Sequence, residues 1–581
     1  TMRDAQQSLM ATRMRTKDLI GASDATNAFM ENAFSVEAWG GATYDTAYRF
    51  LKESPWKRLK LLRQHMPNTL IQMLLRASNA VGYSNYPDNV VKKFIEEASQ
   101  KGVDVFRIFD SLNWVENMKM PIETALKTGK IVEGTICYTG DITDPNETKY
   151  TLDYYVKKAK ELESLGVHIF TIKDMAGLVK PYAAKKLISA LKEELNIPVN
   201  LHTHDSTGNG VSTLLMASEA GLDIADCAIG SMSSMTSNPC MNSLVEALKG
   251  TERDTGLNPD ELTELSQYYA RIRPIYKQFE SGMDAPNTEI YKYEIPGGQY
   301  SNLLAQVKEM GAAEDFEEIK GLYKDANQLL GNIVKVTPSS KVVGDFAIFM
   351  FKNGLTKENI LEVGKDLSYP DSVVEYFEGM IGQPEGGFPE ELQKIVLKDK
   401  KPIDVRPGSL LPDEDFDYIA KGLKENFYTE NMEDPDILSQ KTLSYALYPK
   451  VYEDYCRHFE AYNDVTGLES HVYFYGLRKG EETTLKLDEG KYLIIKFIDM
   501  TEPDEDGYRL LDFEVNGSIR EIKVLDKNLE VKTDRRVKAD KSNPAHLGST
   551  IPGTVGKVLV NEGDEVTVNM PLMTVEAMKM E

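Results

Sequence analysis

Cysteine is scarce in this chain of 581 residues, and no two of its cysteines form a CxxC pair. The four are widely spaced, at Cys137, Cys227, Cys240 and Cys456. This pattern suits free, mostly buried thiols in a reducing compartment, so we expect a cytoplasmic protein. Long apolar runs are also missing, and no segment approaches the roughly 18 residues that a membrane span needs. The N-terminal residues are too charged for the apolar part of a secretory signal.

Positive charge is in deficit. Lysine and arginine total 67 against 91 aspartates and glutamates, which gives a net charge of −24 and an isoelectric point near 4.9. An acidic surface argues against nucleic acid or an anionic membrane as the main partner. The hydrophobic fraction of 41% and the charged fraction of 27% are ordinary for globular proteins. A chain of this length is expected to form roughly three or four domains.

The first 235 residues alternate short apolar runs with amphipathic segments that end at glycine. Strands separated by such helices are typical of a parallel sheet. The runs are residues 34–40, 69–76, 103–110, 130–138, 167–174, 198–205 and 224–231. With residues 1–4 as the tail of a first strand there are eight, which predicts a (β/α)₈ TIM barrel of the α/β class. Active sites of such barrels lie at the C-terminal ends of the strands, which we call the mouth.

The remainder of the chain divides by pattern. A helical periodicity dominates to about residue 470, alternating strands follow, and a polar stretch without apolar periodicity reads as a linker. We predict a barrel core over 1–290, a helical extension over 291–470, a small β-rich (α+β) domain over 471–530, a linker over 531–546 and a partial all-β domain over 547–581. The first predicted strand of the β-rich domain is HVYFYGLR, residues 471–478.

His202 and His204 close one of the barrel runs in the sequence HTH. Residues i and i+2 of a strand face the same way, so both imidazoles point to one place, as a metal site requires. Two hydrogen-bonded histidines at a strand end would give the same pattern. Asp4 can add an oxygen ligand. Lys173 ends the preceding strand, either in an ion pair with Asp174 or as a carbamate formed with CO₂, since a free ammonium has no lone pair for a metal.

The segment EAMKM, residues 576–580, has the form of a biotin-acceptor motif with Lys579 at its centre. A lysine between two methionines in a tight turn could also be an accidental hydrophobic hairpin. However, the upstream IPGTVGKVLVNEGDEVTVNMPLMTV matches the glycine-punctuated first half of a biotinyl domain. We therefore interpret Lys579 as the residue that carries covalent biotin.

Most of the chain resembles pyruvate carboxylase. Its motifs follow in order from residue 1 to 581: TMRDAQQSLMATRMRT, WGGATYDTAYRFLKESPW, LLRASNAVGYSNYPDNVV, FRIFDSLNWVENM, FTIKDMAGL, HTHDSTGNG, KVTPSSKVVGD and the terminal EAMKM. Two departures are visible. Gln6 stands where members often carry histidine, and Ala77 with Ser78 replaces a glycine-containing version. Neither departure removes a catalytic side chain.

The resemblance implies the site residues. Asp4, carbamylated Lys173, His202 and His204 would hold a metal, and two nitrogens with two oxygens suit Zn²⁺ or Mn²⁺. The other side chains would bind pyruvate and biotin or move a proton. Arg76 matches the arginine that grips pyruvate, Gln7 and Tyr83 match other pocket residues, Thr337 matches the proton-shuttling hydroxyl, and Ser340 and Lys341, together with Tyr83, match residues near the incoming biotin ring.

The implied activity is carboxyl transfer from carboxybiotin to pyruvate, giving oxaloacetate, the second half-reaction of this anaplerotic and gluconeogenic family. The implied partner is the carboxybiotin carrier domain of the same or a neighbouring subunit. The family also implies a homotetramer, to which residues 471–530 would contribute, and an acyl-CoA or cyclic-dinucleotide effector. ATP would enter only through a biotin carboxylase domain, because this chain has no glycine-rich ATP-grasp stretch.

We further expect a longer natural polypeptide. Residue 1 falls partway along the predicted first strand, and a biotinyl domain needs a second half after its lysine, whereas Glu581 follows Lys579 by two residues. A half-domain of this size is too small to hold a core alone. The prediction is that this chain by itself is poorly biotinylated.

Other barrel functions stay open at this point. The α-subunit of a membrane oxaloacetate decarboxylase, or a transcarboxylase subunit, shares the chemistry, although YPDNVV, FDSLNWVENM, RPGSLLPDEDF and the strand-rich segment favour pyruvate carboxylase. A hydrolase barrel with a bridging carbamylated lysine usually carries HxH at the end of its first strand and leaves EAMKM unexplained. A chain that only carries biotin leaves the mouth residues unexplained.

Overall fold

The computed structural model describes residues 1–280, 282–427, 431–528, 539, 543, 545–548, 554–567 and 570–576. Its strands form three sheets. They are β1 Val36–Gly40, β2 Ile71–Leu75, β3 Val105–Phe109, β4 Ile131–Cys137, β5 Ile169–Asp174, β6 Val199–Thr203, β7 Ile224–Ala225, β8 Glu482–Asp488, β9 Lys491–Met500, β10 Tyr508–Val515, β11 Ser518–Leu525, β12 Thr554–Val558 and β13 Met573–Glu576.

The largest sheet is parallel and takes its strands in sequence order, β1 to β7. Each strand lies inside one of the seven predicted runs, so the barrel-like α/β fold is confirmed. β2, β3, β5 and β6 are buried along their whole length. Burial on both faces is the reason that these strands read as apolar runs rather than as an alternation.

The predicted first strand at residues 1–4 is wrong. Asp4 instead opens a helix, Asp4–Leu9, and no eighth strand joins the sheet within the described residues. A carboxylate in the first turn of a helix is favoured by the helix dipole. β1 and β7 are therefore the edges of the sheet, and a cavity of about 470 Å³ lies at this seam, lined in part by Thr1, Glu37 and Asp226.

Helices connect the strands as the periodicity predicted. Those of the barrel region are α1 Asp4–Leu9, α2 Thr16–Ile20, α3 Ser23–Phe29, α4 Thr43–Thr46, α5 Pro55–His65, α6 Asp88–Lys101, α7 Val115–Lys127, α8 Leu152–Ser164, α9 Pro181–Glu194, α10 Gly210–Glu219, α11 Met241–Leu248 and α12 Pro259–Ile272. A side chain or proline begins several of them: Ser54 caps α5, Thr151 caps α8, and Pro181 starts α9.

The extension is helical and contributes to two cores. Its helices are α13 Ile290–Tyr293, α14 Gly297–Glu309, α15 Phe316–Leu329, α16 Ser339–Asn353, α17 Ile360–Val363, α18 Asp371–Glu378, α19 Glu390–Leu397, α20 Phe416–Asn426, α21 Pro435–Leu447, α22 Pro449–Tyr462 and α23 Ser470–Tyr475. α14 to α19 surround a core of their own, whereas α20 to α22 pack on the barrel core.

The C-terminal part contains an antiparallel sheet of order β11-β10-β9-β8 and the antiparallel pair β12 and β13. The prediction of a strand at HVYFYGLR is wrong, because residues 470–475 form α23. Tertiary contacts decide this helix: the guanidinium of Arg15 lies 4.4 Å from the ring centre of Tyr473, whose hydroxyl donates to the carbonyl of Phe50.

Two predicted features fall largely or wholly outside the described residues. Lys579 is one, and most of the linker at 531–546 is the other. In the part that is described, no helix combines the length and apolar character needed to cross a bilayer.

Candidate functional site

Asp4, His202 and His204 meet at the mouth of the sheet, and all three are buried. Nε2 of His202 lies 2.9 Å from Oδ2 of Asp4, and Nε2 of His204 lies 3.3 Å from the same oxygen. The two Nε2 atoms are 3.4 Å apart. Burial would raise the pKa of Asp4, but the guanidinium of Arg3 and the rings of His204 and His202 together outweigh it and hold that pKa well below the usual range. Asp4 is therefore a carboxylate.

The outer ring nitrogens show which way the histidines are protonated. Nδ1 of His202 lies 2.7 Å from Oδ2 of Asp226, and Nδ1 of His204 lies 2.6 Å from the carbonyl of Thr236. Both oxygens can only accept, because Arg107 keeps Asp226 ionised against the effect of burial, with its pKa lowered. Each Nδ1 therefore donates, which leaves Nε2 as the ring atom that each histidine can offer to a metal beside Asp4. Three converging lone pairs fit a metal ion.

Lys173 lies beside this cluster. It is 4% exposed, and its Nζ is 3.4 Å from Nε2 of His202, its register partner on β6. The alternative ion pair with Asp174 is not formed, since Asp174 instead accepts from the backbone of residues 176, 178 and 179. Burial lowers the pKa of Lys173. An amine in this position can become an oxygen ligand only as a carbamate, which is consistent with the expectation from the resemblance.

A charged layer lies beneath the cluster, and sequence reasoning missed it. Arg107 of β3 is 1% exposed, donates from Nε to Glu133 at 2.6 Å, and pairs with Asp226 through Nη1. Gln72 of β2 donates to the same Glu133 oxygen at 3.0 Å. The available signal was an arginine in the middle of the apolar strand VFRIF and an acid just after β7. This layer braces His202 from below.

Arg76 follows β2 at the mouth and is buried. Its Nη1 donates to the carbonyls of Val81 at 2.6 Å and Gly82 at 3.1 Å, and its guanidinium lies 5.1 Å from the ring centre of Tyr83. No carboxylate lies within ion-pair distance of it among the described residues, so its charge is available for a ligand. Ala77 has a φ of +34°, a conformation that favours glycine, which is where the sequence departs from the family pattern.

Gln7 faces the end of β1. Its Oε1 accepts from the amide of Ala42 at 3.1 Å and from Nη1 of Arg3 at 3.4 Å. Gly40 of the same WGG turn has a φ of +82°, and a side chain there would collide with the carbonyl of Leu74. Close approach of backbone thus explains the glycine. Asp45, also missed by sequence reasoning, is buried nearby; within the described part of the chain its carboxylate accepts no hydrogen bond, and its Oδ2 lies 3.5 Å from Nε of Arg49.

Thr337 lies on residues 331–338, which we call the crossing segment because they pass from the extension over the barrel mouth. At its end, the hydroxyl of Ser339 lies 3.2 Å from the carbonyl of Ser111, just after β3, and within 2.7 Å of the carbonyls of Val334 and Val336. Thr337 is half-buried and its hydroxyl makes no hydrogen bond within the described residues. Ser340 is buried in the first turn of α16, and Lys341 beside it is half-buried.

The mouth therefore brings together residues that lie far apart in the sequence. Asp4, Lys173, His202 and His204 form one contact group, and Arg76 and Tyr83 form a second. Thr337 lies on the crossing segment and Ser340 and Lys341 on the first turn of α16, and these two elements contact the residues that follow β3 and β4. Gln7 reaches the turn after β1. Lys579 lies outside the described residues, so its position stays a prediction.

Three family models match successive parts of the chain. They are HMGL-like over residues 88–268, a conserved carboxylase domain over 290–496, and a biotin-requiring enzyme over 544–581. The pyruvate carboxylases of Bacillus subtilis (strain 168) and Staphylococcus aureus are 52% and 50% identical over 581 and 582 residues, covering 100% of this chain and 50% of each relative. The chain thus spans about half the length of the curated relatives it matches.

Solved structures agree with these matches. The carboxyl transferase domain of Rhizobium etli pyruvate carboxylase, solved with pyruvate and biocytin, is 45% identical with a TM-score of 0.86, covering 91% of this chain and 88% of that one. The complete multifunctional enzyme from the same organism gives the same TM-score and identity over 90% of this chain and 51% of its own. The sequence identity over the whole chain and the shared fold agree, and the chain belongs to the pyruvate carboxylase family.

Proposed function

We propose that this chain transfers a carboxyl group from biotin to the methyl carbon of pyruvate, giving oxaloacetate. What supports the proposal is that the C-terminal ends of the barrel strands carry a buried arginine and side chains that can hold a metal, while the segment above two of these strand ends carries a hydroxyl without a hydrogen-bond partner in the described residues. These are Arg76, the group of Asp4, His202 and His204, and Thr337. The arginine can bind the carboxylate of the substrate, the arginine and a metal can stabilise a developing enolate, and the hydroxyl can transfer a proton.

Arg76 would hold pyruvate. A guanidinium fork contacts a carboxylate or an enolate oxygen at two points, and a buried one stabilises developing negative charge more strongly than one in water. Its own bonds to the carbonyls of Val81 and Gly82 fix the side chain before the substrate arrives. Gln7 and Tyr83 would line the same pocket, and Ser340 and Lys341 would lie near the biotin ring.

Thr337 would move the proton. It takes one from the methyl group of pyruvate and delivers it to the ureido nitrogen that has lost its carboxyl group. The enolate so formed attacks the released CO₂, and the new carbon–carbon bond completes oxaloacetate. An alcohol is a weak base near neutral pH, so the two proton transfers must be concerted. Biotin, when bound, supplies the carboxyl group and accepts the proton. Exclusion of water protects enolate and CO₂ until they react.

The metal is proposed to be Zn²⁺ or Mn²⁺, held by Asp4, His202, His204 and carbamylated Lys173. It would supply Lewis acidity behind the substrate oxygen. The carrier domain with biotin on Lys579, a homotetramer, an acyl-CoA or cyclic-dinucleotide effector, ATP use through a biotin carboxylase domain and a cytoplasmic location also remain proposals, which rest on the family.

Forward transfer tests this function directly. The purified chain is mixed with pyruvate, free biotin, a separate biotin carboxylase, ATP and ¹³C-bicarbonate, and oxaloacetate is trapped by reduction to malate. The expected result is ¹³C at the new carboxyl of malate, lost when either the chain or the carboxylase is omitted. Absence of label with an active carboxylase overturns the proposal. Transfer that requires sodium and membrane subunits would instead favour the decarboxylase alternative.

A further inference from the structure

The crossing segment joins two hydrophobic cores. Ile333 packs in the core of the extension, whereas Val334 and Val336 pack in the core of the barrel. Lys335 lies between these two valines and is the one charged residue of this buried stretch, with 3% of its surface exposed. A lysine is almost never buried to this degree without a partner, so the contacts of Lys335 explain its presence.

Lys335 closes a triangle of polar contacts with Glu294 and Thr139. Its Nζ lies 2.6 Å from Oε2 of Glu294 and 3.2 Å from Oγ1 of Thr139. The Thr139 hydroxyl lies 3.1 Å from the same Glu294 oxygen. Each of the three residues comes from a different place: the crossing segment, the end of α13, and the first residues after β4. The triangle therefore fixes the extension to the barrel next to Thr337.

The loop after β4 holds the crossing segment at a second place. Nζ of Lys149 donates to the carbonyls of Gly331 at 2.7 Å and Asn332 at 3.2 Å, and the hydroxyl of Tyr150 donates to the Asn332 carbonyl at 2.8 Å. One barrel loop, residues 138–151, thus forms hydrogen bonds with the crossing segment both at residues 331–332 and at residue 335. Those contacts leave few degrees of freedom for Thr337, two residues further on.

We infer that Lys335, through Glu294 and Thr139, is a positioning residue that sets where the Thr337 hydroxyl stands above the barrel mouth. This inference rests on the proposed proton transfer by Thr337. A proton shuttle must lie within hydrogen-bond reach of both its donor and its acceptor, and small displacements there reduce rate rather than substrate binding. None of the three side chains needs to touch the substrate.

Because Lys335 and Glu294 carry opposite charges, the inference can be tested by interchanging the two residues. A threonine hydroxyl both donates and accepts, so Thr139 can bond to either end of the pair. Swapping the charges, Lys335→Glu with Glu294→Lys, keeps one long and one short side chain and the same total charge. A purely steric role for Lys335 would gain nothing from the second substitution.

The measurement is biotin-dependent decarboxylation of oxaloacetate by the purified chain, the reverse of the proposed transfer. Lys335→Met and Glu294→Gln are each expected to lower kcat at least tenfold, with the KM for oxaloacetate within twofold of wild type. Thr139→Val is expected to act in the same direction but less. The double swap is expected to recover at least half of the kcat lost by Lys335→Glu alone.

Two controls separate the possible failures. Asp436→Asn breaks the exposed pair that Lys101 forms across the barrel and α21 at 2.8 Å, and it should leave kcat unchanged. The rate of amide hydrogen exchange over residues 331–341 should rise in Lys335→Met and fall back towards the wild-type rate in the double swap. This measurement reports on the contacts of Lys335 even if the wild-type chain shows no turnover. That absence would count against the proposed function alone. Wild-type kcat in a folded Lys335→Met, or a swap no better than Lys335→Glu, overturns the inference.

Discussion

Nδ1 of His202 lies 2.7 Å from Oδ2 of Asp226, on the opposite side of the ring from Asp4. The guanidinium of Arg107 holds Asp226 in turn, with a further contact of 3.2 Å from Nη2 to Oδ1. This carboxylate fixes the tautomer that presents Nε2 to a metal. Replacement of Asp226 by alanine is expected to weaken metal affinity by about 10–100-fold, the usual cost of losing such a support.

Competition with a chromophoric chelator measures that affinity for Zn²⁺ and for Mn²⁺ separately. Asp436→Asn serves as the matched control, since it removes an exposed acid of α21 that contacts no residue of the cluster, and it should change nothing. An Asp226→Ala chain that binds both metals as wild type does would show that His202 needs no support from this side.

Metal binding is expected to depend on CO₂ through Lys173. The amine reaches the cluster only as a carbamate, so affinity for metal should rise when bicarbonate is added to a CO₂-depleted sample. Lys173→Arg should abolish both this dependence and the turnover, because a guanidinium does not form the carbamate. An active Lys173→Arg chain, or affinity that ignores bicarbonate, would identify Lys173 as a plain buried cation.

Arg76→Lys is expected to weaken substrate binding although the charge is kept. Lysine offers no planar fork, and its stem cannot donate to Val81 while facing the substrate. Losing one charge-assisted hydrogen bond costs about 1.5–3 kcal/mol, or roughly 10–150-fold in the KM for pyruvate. Steady-state kinetics measure this, with the exposed Arg457→Lys as control. An unchanged KM would place pyruvate away from Arg76.

Asp345 is expected to make stability pH-dependent. Burial raises its pKa from 3.8 to about 6, against the smaller opposing effects of Lys341 and of the hydrogen bond from Ser372. A carboxyl group with a raised pKa destabilises the fold as pH rises through that value, by on the order of 3 kcal/mol at most. This penalty develops between the ordinary pKa of 3.8 and about 6, so Asp345→Asn should nearly match wild type in thermal midpoint near pH 4 and exceed it near pH 8. Equal midpoints at both pH values would contradict this.

The sequence predicted the sheet well for a physical reason. Parallel strands buried on both faces leave continuous apolar runs, and all seven runs contain a strand. The prediction was wrong where tertiary contacts determine the structure. Residues 1–4 were assigned to a strand, but Asp4 begins a helix. The aromatic segment at 470–475 is helical, and Tyr473 in it packs on Arg15. Local propensity cannot anticipate a partner several hundred residues away.

The candidate site followed the same division. Residues carried by motifs, such as His202 and Thr337, could be found from the sequence together with the family resemblance. Asp226, Arg107 and the triangle around Lys335 could not, since each acts through a neighbour that only the fold supplies. An isolated charge in an apolar strand or segment is the signal that would have indicated them.

The most direct test of the account is biotin-dependent decarboxylation of oxaloacetate by the Thr337→Ala chain, compared with wild type at matched metal content. We predict a loss of about 10²–10⁴-fold in the biotin-dependent rate, the usual contribution of a proton-transfer group, with metal affinity and thermal midpoint unchanged. The rate without biotin, subtracted in each case, reports metal-assisted loss of CO₂ alone. A Thr337→Ala chain that retains near-normal biotin-dependent turnover would contradict the mechanism.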